Sequence, residues 1–477
     1  MSDELHFQSI TTLARQYRAN ERTSVEVTRH MLDRIADQDP HLRAYATLMA
    51  DSALHEAEQA DAEMKSGQYR GPLHGVPIAL KDLCATNGVP TMAGCAVHRD
   101  NITDFDATVV TRLQAAGAVL LGKLNLTEGA MGGYNPALAF PENPWGKGRF
   151  PGASSSGSGA ATAAGLAFGT LGSDTGGSIR YPAAACGTVG LKPTWGRVSR
   201  HGVMDLAPSL DHVGPLTRST EDAAIMLTAI AGPDPMDPTS LDEPCPAFSN
   251  IFRDPATMTR TSLAGVTIGF DPDYASTDLT DDYAATINQQ LSVFESLGIS
   301  VQEVRMPARL REYLEAWGVL CSAEAANAHR ANYPSRADEY GPWFRGWLQM
   351  GAAFSAADYA AAHHLRLACN ADVRRTMAGI DALLFPGSAQ VAHPVTPESM
   401  WGPVQPSRDK SWHSRFTVPF DFNGYPTLSL PCGLSPENLP YSVQLAAHPQ
   451  MESVLVQLGS AFEASTDFHT LHPPDWT

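Results

Sequence analysis

Residues 172–180 read GSDTGGSIR, and this short stretch decides how the rest of the chain is interpreted. Gly176 and Gly177 directly precede Ser178, so no side chains shield the main-chain N–H groups at this point. Consecutive N–H groups that point into one pocket can hold the oxyanion that forms when a serine attacks a carbonyl carbon. The stretch therefore predicts a turn that presents Ser178 as a nucleophile.

The surrounding residues, 151–194, are rich in Gly, Ala and Ser and almost free of charge. Apolar residues such as Phe168 and Val189 lie among them, which favours tight turns around buried backbone over low complexity. A nucleophilic serine also needs a base, and the segment contains no histidine. An uncharged environment suits a lysine base instead, because burial disfavours the ammonium form and lowers the pKa of the amine.

A candidate for that base lies upstream, where the apolar run at 76–80 ends at Lys81. The run predicts a short buried strand that carries the lysine at its tip. Residues 108–116 predict a helix and residues 118–123 predict the next strand. Helix and strand in alternation favour an α/β sheet.

The two ends of the chain extend this pattern. The first sixty-odd residues read as helices, one of which begins with capping-box spacing at Thr23 and Glu26. The segment from about 303 to 378 is again helical and rich in aromatic residues. Strand-like runs return at 427–430 and 442–445, and the Pro- and Asp-rich stretch at 232–246 predicts a surface loop.

Composition excludes several classes of function. The 477 residues carry a formal net charge of −18 and no run of Lys and Arg, so binding to a phosphate backbone is not expected. The seven cysteines include no C-x-x-C pair, which is typical of a protein with reduced thiols. The N-terminus has no apolar signal core and no stretch is apolar enough to span a membrane, so we predict a soluble, cytoplasmic protein.

Several long motifs, in order along the chain, together resemble the amidase signature family. They are GPLHGVPIALKD at 71–82, GASS at 152–155, GSDTGGSIRYP at 172–182, CGTVGLKPT at 186–194, SLDHVGP at 209–215 and PTLSLPCG at 426–433. The resemblance implies an α/β fold, with a large twisted mixed β-sheet covered by helices on both faces. It also implies one domain over 1–477, with a helical part at about 1–70, a catalytic core at about 71–230 and a helical, substrate-facing part at about 305–380.

The family uses a Ser–cis-Ser–Lys triad, and the resemblance carries it over to Ser178 as nucleophile, Ser154 after a cis peptide bond, and Lys81 as base. The two serines are 24 residues apart, which is the family's usual interval. Ser156 stands where the family most often has a glycine, which bears on the local turn geometry. The implied supporting residues are Thr175, Gly176, Gly177 and Ser178 in an oxyanion hole, with Ser155, Asp174 and Arg180 around the triad.

No cofactor and no metal are expected. The histidines form no H-E-x-x-H motif, and we find no ligand spacing between histidine and cysteine. The near phosphate-binding loop at 117–124 has Leu124 where a hydroxyl is required, and Arg180 replaces the last glycine of a G-x-S-x-G elbow.

The resemblance predicts an amidohydrolase that acts on linear amides, of the amidase, acylamidase or urethanase type. Aromatic residues between 313 and 359 suggest a pocket for an aryl or alkyl amide, and an anilide, ester or carbamate stays open. Candidate pocket residues are Tyr134, Trp317 and Cys321. The expected partners are the small-molecule amide and water, without nucleic acid or membrane, and a homodimer is left open.

Two alternative functions remain. One is the A subunit of a tRNA-dependent glutamyl amidotransferase, which shares the family fold and releases ammonia from glutamine. The loop AMGGYNP at 130–136 does not resemble the serine-rich counterpart of that subunit. The other is an inactive family member that only binds ligands, against which the complete triad argues.

Overall fold

The computed structural model describes residues 4–246, 248, 263, 265–404 and 412–476. Eleven strands within these ranges form one sheet, in the order β1-β3-β2-β4-β6-β5-β10-β11-β9-β7-β8. The strands are β1 (Tyr45–Leu48), β2 (Pro77–Lys81), β3 (Val119–Leu124), β4 (Gly169–Asp174), β5 (Val189–Lys192), β6 (His212–Thr217), β7 (Thr267–Phe270), β8 (Ser300–Glu303), β9 (Ala382–Pro386), β10 (Thr427–Leu434) and β11 (Pro440–Ala447).

The sheet is mixed. Strand β2 runs parallel to β3 and β4, and β7 runs parallel to β8 and β9, whereas the pairs between β4 and β9 in the sheet order are antiparallel. Helix α4 links β2 to β3, as a parallel pair requires a crossover connection. The predicted α/β fold with a large mixed sheet is confirmed.

Helices occupy most of the remaining described chain. They are α1 (Ile10–Arg18), α2 (Ser24–Leu42), α3 (Ala50–Lys65), α4 (Thr108–Ala115), α5 (Ser156–Ala163), α6 (Arg180–Cys186), α7 (Thr220–Ile230), α8 (Pro272–Ser276), α9 (Asp281–Ser296), α10 (Leu310–Ala328), α11 (Pro342–Ala353), α12 (Ala356–Thr376), α13 (Pro397–Trp401), α14 (Val418–Phe422) and α15 (Glu452–Ser465).

The predicted elements near the site form with small shifts at their ends. Strands β2 and β3 are buried at every position, as expected for apolar runs in the parallel part of a sheet. The predicted capping box of α2 is present: the Glu26 N–H donates to Thr23 Oγ1 at 3.1 Å, and the Thr23 N–H donates to Glu26 Oε2 at 2.9 Å.

The Gly-, Ala- and Ser-rich segment at 151–194 contains more regular structure than the predicted tight turns, because it forms α5, β4, α6 and β5. All eight residues of α5 are buried, so the helix has no polar face that would reveal it as amphipathic. Its small residues allow close backbone approach. A Cβ at Gly157 would lie 2.5 Å from Asn125 O, and one at Gly159 would lie 2.9 Å from Pro182 O.

The predicted loop at 232–246 contains neither helix nor strand. It is nevertheless anchored, because the buried Asp234 carboxylate accepts hydrogen bonds from Ser199 Oγ and Thr108 Oγ1. All seven cysteines lie in the described ranges and none forms a disulfide. Among the helices of those ranges, none combines the length and apolarity needed to cross a bilayer.

Candidate active site

Three segments meet at the end of β2. Lys81 is the last residue of that strand, Ser154 and Ser155 precede α5, and the turn that carries Ser178 joins β4 to α6. Lys81, Ser154 and Ser155 are completely buried, whereas Ser178 is half-buried. The fold therefore brings the three predicted triad residues into one region, with only the predicted nucleophile reaching toward solvent.

The Lys81 amine is surrounded by serine hydroxyls. Its Nζ lies 2.6 Å from Ser154 Oγ, 2.8 Å from Ser155 Oγ and 2.9 Å from Ser173 Oγ. Ser155 Oγ donates its own proton to Ser173 O at 3.1 Å, so toward the lysine it can only accept. No carboxylate pairs with this amine within the described ranges, so the amine is held by neutral groups.

Burial lowers the pKa of Lys81 to about 7. The negative charge of Asp174 raises this pKa, but its effect is smaller than that of burial. Removal from water penalises the ammonium form, and the serine hydroxyls replace hydration without adding a negative charge. An amine with such a pKa is largely neutral at slightly alkaline pH. It can then accept a proton, as a general base must.

Ser173 is a site residue that no sequence motif indicated. It lies in β4, within residues 172–180 and directly before Asp174. Alternation along β4 places its side chain on one face of the sheet, but a fully buried strand does not reveal which face holds the site. The proximity of β4 to the parallel strand β2 brings Ser173 Oγ to the lysine.

The turn before α5 has an unusual backbone. The Ala153–Ser154 peptide bond is cis, as the family resemblance implies for the bond before this serine. Gly152 has φ +86°, and a Cβ there would lie 2.5 Å from Pro182 Cα. The Ser155 N–H donates to Ser178 O at 3.3 Å and so links the two serine turns. Within the described residues, no hydrogen bond joins Ser154 Oγ to Ser178 Oγ.

A buried ion pair shapes the turn that carries Ser178. Asp174 Oδ1 accepts the Gly177 N–H at 2.6 Å, and Oδ2 accepts the Ile179 N–H at 3.0 Å. The same carboxylate binds the Arg180 guanidinium, with Nη2 to Oδ1 at 2.9 Å and Nε to Oδ2 at 3.0 Å. Burial alone would raise the pKa of Asp174, but Arg180 lowers it below its ordinary value. The carboxylate is therefore ionised and fixes the turn.

Arg180 extends this support to the far part of the chain. Its Nη2 lies 2.7 Å from Asp421 Oδ2 in α14, and its Nη1 donates to Thr417 O at 3.0 Å. Thr417 Oγ1 in turn donates to Gly176 O at 2.6 Å. The turn is thus held from both sides, by its own strand and by the segment before α14.

The backbone donors of the turn are not equivalent. The Gly177 N–H is engaged by Asp174, so it is not free for a substrate oxygen in this structure. The predicted oxyanion hole of four donors stays a prediction, in which the Gly177 N–H would first have to leave Asp174. The N–H groups of Thr175, Gly176 and Ser178 are the remaining oxyanion candidates.

This arrangement is accompanied by sequence similarity over nearly the whole chain. The profile of the Amidase family matches residues 26–456. The chain belongs to the amidase signature family. It is therefore an amidase-family hydrolase in fold and in the arrangement of its Lys and Ser residues.

Relatives within the amidase signature family are similar from end to end. A protein of Mycobacterium tuberculosis (strain ATCC 25618 / H37Rv), named as a candidate amidase, AmiD, is 43% identical over 473 residues, which are 99% of this chain and 97% of AmiD. The A subunit of the glutamyl-tRNA(Gln) amidotransferase of Moorella thermoacetica is 37% identical over 497 residues, covering 98% and 99%. The native peptide amidase from Stenotrophomonas maltophilia has a TM-score of 0.81 at 30% identity, covering 96% and 97%.

The three predicted pocket residues have different surroundings in this amidase-family chain. The Tyr134 hydroxyl donates to Ser156 Oγ at 2.7 Å, and Tyr134 is only 2% exposed. Ser156, the departure from the family pattern, therefore has a partner at the start of α5. Cys321 is fully buried and lies against Met131, with the two sulfur atoms 3.9 Å apart.

Trp317 lies directly against the turn that carries the nucleophile. Its Nε1–H donates to Thr175 O at 2.8 Å, and a Cβ at Gly176 would lie 2.4 Å from Trp317 Cζ2. The ring centroid is 6.1 Å from that of Trp347, which stacks on Trp343 at 5.7 Å. Trp317 and Trp343 are half-buried. This row of indoles gives the site an aromatic border.

The structure also brings together three residues of types that can bind a metal. Cys95 and His98 are three residues apart in the sequence and lie close together in the structure. The fold adds His329 to this pair. One ligand atom from each of the three residues lies within 4.8 Å of the others.

Proposed function

We propose that this protein is an amidase that cleaves the carbon–nitrogen bond of linear amides through an acyl-enzyme on Ser178. The observation that carries the proposal is the buried Lys81 amine, 2.6 Å from Ser154 Oγ and without a carboxylate partner in the described ranges. Ser154 and Ser178 stand on neighbouring turns that a main-chain hydrogen bond connects. A neutral amine behind two serines can activate the second through the first.

The direction of the proton relay follows from the number of hydrogen bonds that each group can donate and accept. A neutral amine has two N–H donors and one lone pair. Ser155 accepts one N–H because its own proton is donated to Ser173 O. If Ser173 Oγ accepts the other, the lone pair faces Ser154 Oγ, at the shortest of the three distances. Lys81 then takes the Ser154 proton as Ser154 takes the proton of Ser178.

In the first half-reaction, Ser178 Oγ bonds to the amide carbon, and the carbonyl oxygen becomes an oxyanion. The N–H groups of Thr175, Gly176 and Ser178 stabilise that charge. The carbon–nitrogen bond breaks as the relay returns the proton to the leaving nitrogen, which departs as an amine or ammonia. In the second half-reaction, water loses a proton to the same relay and attacks the ester carbon. The bond between that carbon and Ser178 Oγ then breaks, the acid is released, and the relay returns the proton to Ser178 Oγ.

We infer that the favoured substrates are aryl or alkyl amides. The half-buried Trp317 against Gly176, continued by Trp343 and Trp347, supports a pocket that accepts an apolar group. A substrate panel of p-nitroanilides, aryl carbamates and short aliphatic amides tests this. We expect the highest kcat/KM on substrates with an aromatic or extended apolar group. Turnover confined to short aliphatic amides would contradict the aromatic pocket while leaving the amidase mechanism intact.

The second candidate function is the A subunit of a glutamyl-tRNA amidotransferase. Its specific support is the 37% identity to that protein of Moorella thermoacetica over 98% of this chain. Purified alone, the chain is expected to hydrolyse simple amides, and glutamine no better than other short amides. Ammonia release from glutamine that appears only when partner subunits are added would favour the second function.

A further inference from the structure

Cys95, His98 and His329 form a cluster that takes no part in the hydrogen bonds around Lys81. The Cys95 N–H donates to Met92 O at 3.0 Å, and the His98 N–H donates to Cys95 O at 3.1 Å. This short helical turn over Ala96–His98 brings Cys95 and His98 together. His329 comes from the end of α10, and its ring centroid is 5.7 Å from that of His98.

The surroundings fix two of the three side chains. Cys95 is completely buried and His329 is 5% exposed, whereas His98 is half-buried. His329 Nδ1 lies 3.0 Å from Tyr340 Oη, and its ring meets Phe344 edge-on at 5.0 Å between centroids. A hydrogen bond to one ring nitrogen orients the other, which is how proteins prepare a histidine to bind a metal.

We propose that Cys95, His98 and His329 bind one Zn²⁺ ion. One thiolate and two imidazoles form a ligand set that Zn²⁺ accepts in tetrahedral geometry, with water or a small anion in the fourth position. Binding releases the Cys95 thiol proton to solvent and forms the Zn–S bond, without a change in oxidation state. His329 binds through Nε2, since Nδ1 is engaged by Tyr340. The half-buried edge at His98 provides access for the ion.

The bound ion would connect two segments that border the catalytic site. The Ala93 N–H donates to Asp82 O at 2.7 Å, so the segment with Cys95 is attached next to Lys81. Helix α10, which His329 follows directly, carries Trp317 against Thr175. We therefore expect bound Zn²⁺ to hold these two segments together and so to raise the melting temperature of the protein.

Co²⁺ is the spectroscopic probe, because a thiolate ligand gives it a charge-transfer absorption in the near ultraviolet. Chelator-treated protein, desalted, is titrated with Co²⁺ and then with Zn²⁺. We expect the absorption to saturate at one Co²⁺ per chain, Zn²⁺ to abolish it, and Zn²⁺ to raise the melting temperature. No such absorption, together with no change in melting temperature, would overturn the proposal.

Matched variants locate the site. His98→Ala, at a half-buried position, should weaken Zn²⁺ binding at least 100-fold, whereas His55→Ala, at an exposed one, should leave it unchanged. Cys95→Ser should remove the charge-transfer absorption, whereas Cys369→Ser, another buried thiol, should keep it. Tyr340→Phe should weaken binding by about 10-fold through His329. Binding that survives both His98→Ala and Cys95→Ser would contradict the assignment.

Discussion

Lys81 is the residue on which the chemistry depends, and its pKa makes the reaction pH-dependent. Because burial lowers that pKa to about 7, the neutral, proton-accepting form falls tenfold per pH unit below 7. We expect kcat/KM on an uncharged amide to rise with pH, to level off above about pH 8, and to be about 100-fold lower at pH 5. Lys81→Met should lower the plateau by about 10²–10⁴-fold and remove this slope. A flat profile in the unmodified protein would contradict the role of Lys81.

Ser173 gives a second test at the residue scale, because it was not predicted from the sequence. Ser173→Ala removes one acceptor from the Lys81 amine and leaves an N–H without a partner, which costs about 1–3 kcal/mol. We expect a decrease of about 10-fold in kcat/KM and a shift in the midpoint of the pH profile. Ser158→Ala is the matched control, because Ser158 Oγ is buried but donates to Leu171 O instead. An effect of similar size in both variants would indicate general loss of packing.

The turn between β4 and α6 carries the nucleophile and packs against Trp317 through Thr175 and Gly176. Gly176→Ala would place a Cβ 2.4 Å from Trp317 Cζ2, so the turn or the indole must move. We expect kcat/KM to fall by about 100-fold, because a displacement of about 1 Å at a reacting group has that effect. Gly318→Ala is the control: it lies beside Trp317 in α10, and a Cβ there meets nothing within 4 Å. Equal activity of the two variants would show that this contact does not set the geometry.

At the element scale, the sequence predicted the strands and helices that show a run of apolar residues or a helix-capping motif. Strands β2 and β3 are apolar runs, and the capping box of α2 is a local feature, so both were predictable. Helix α5 was not, because it is buried on every side and its Gly, Ser and Ala residues show no amphipathic stripe.

The same limit applies to the site. The resemblance supplied Lys81, Ser154 and Ser178, but a buried strand does not show which face Ser173 occupies. Nor does sequence spacing reveal that His329 meets Cys95 and His98, since more than two hundred residues separate them. Contacts that arise only from tertiary packing therefore could not be predicted from the sequence and became visible only in the structure.

At the scale of the whole molecule, the buried lysine makes the free energy of unfolding depend on pH. The pKa of Lys81 is about 7 when folded and 10.5 in its ordinary state, so the unfolded chain binds more protons between these values. The contribution of Lys81 to the free energy of unfolding therefore increases from pH 7 to pH 10.5. Relative to Lys81→Met, the unmodified protein should gain about 2 kcal/mol between pH 7 and pH 9, measured by urea unfolding. A difference between the two proteins that does not change with pH would contradict the lowered pKa.

The acyl-enzyme is the species that the proposed mechanism requires, so its direct detection is the central measurement. The protein is mixed with a p-nitrophenyl ester, quenched in acid during turnover, digested and analysed by mass spectrometry. We predict an acyl adduct on the peptide that contains Ser178, and neither adduct nor turnover in Ser178→Ala, with Ser158→Ala behaving as the unmodified protein. An adduct on another residue, or turnover that persists in Ser178→Ala, would contradict the assignment of Ser178 as nucleophile.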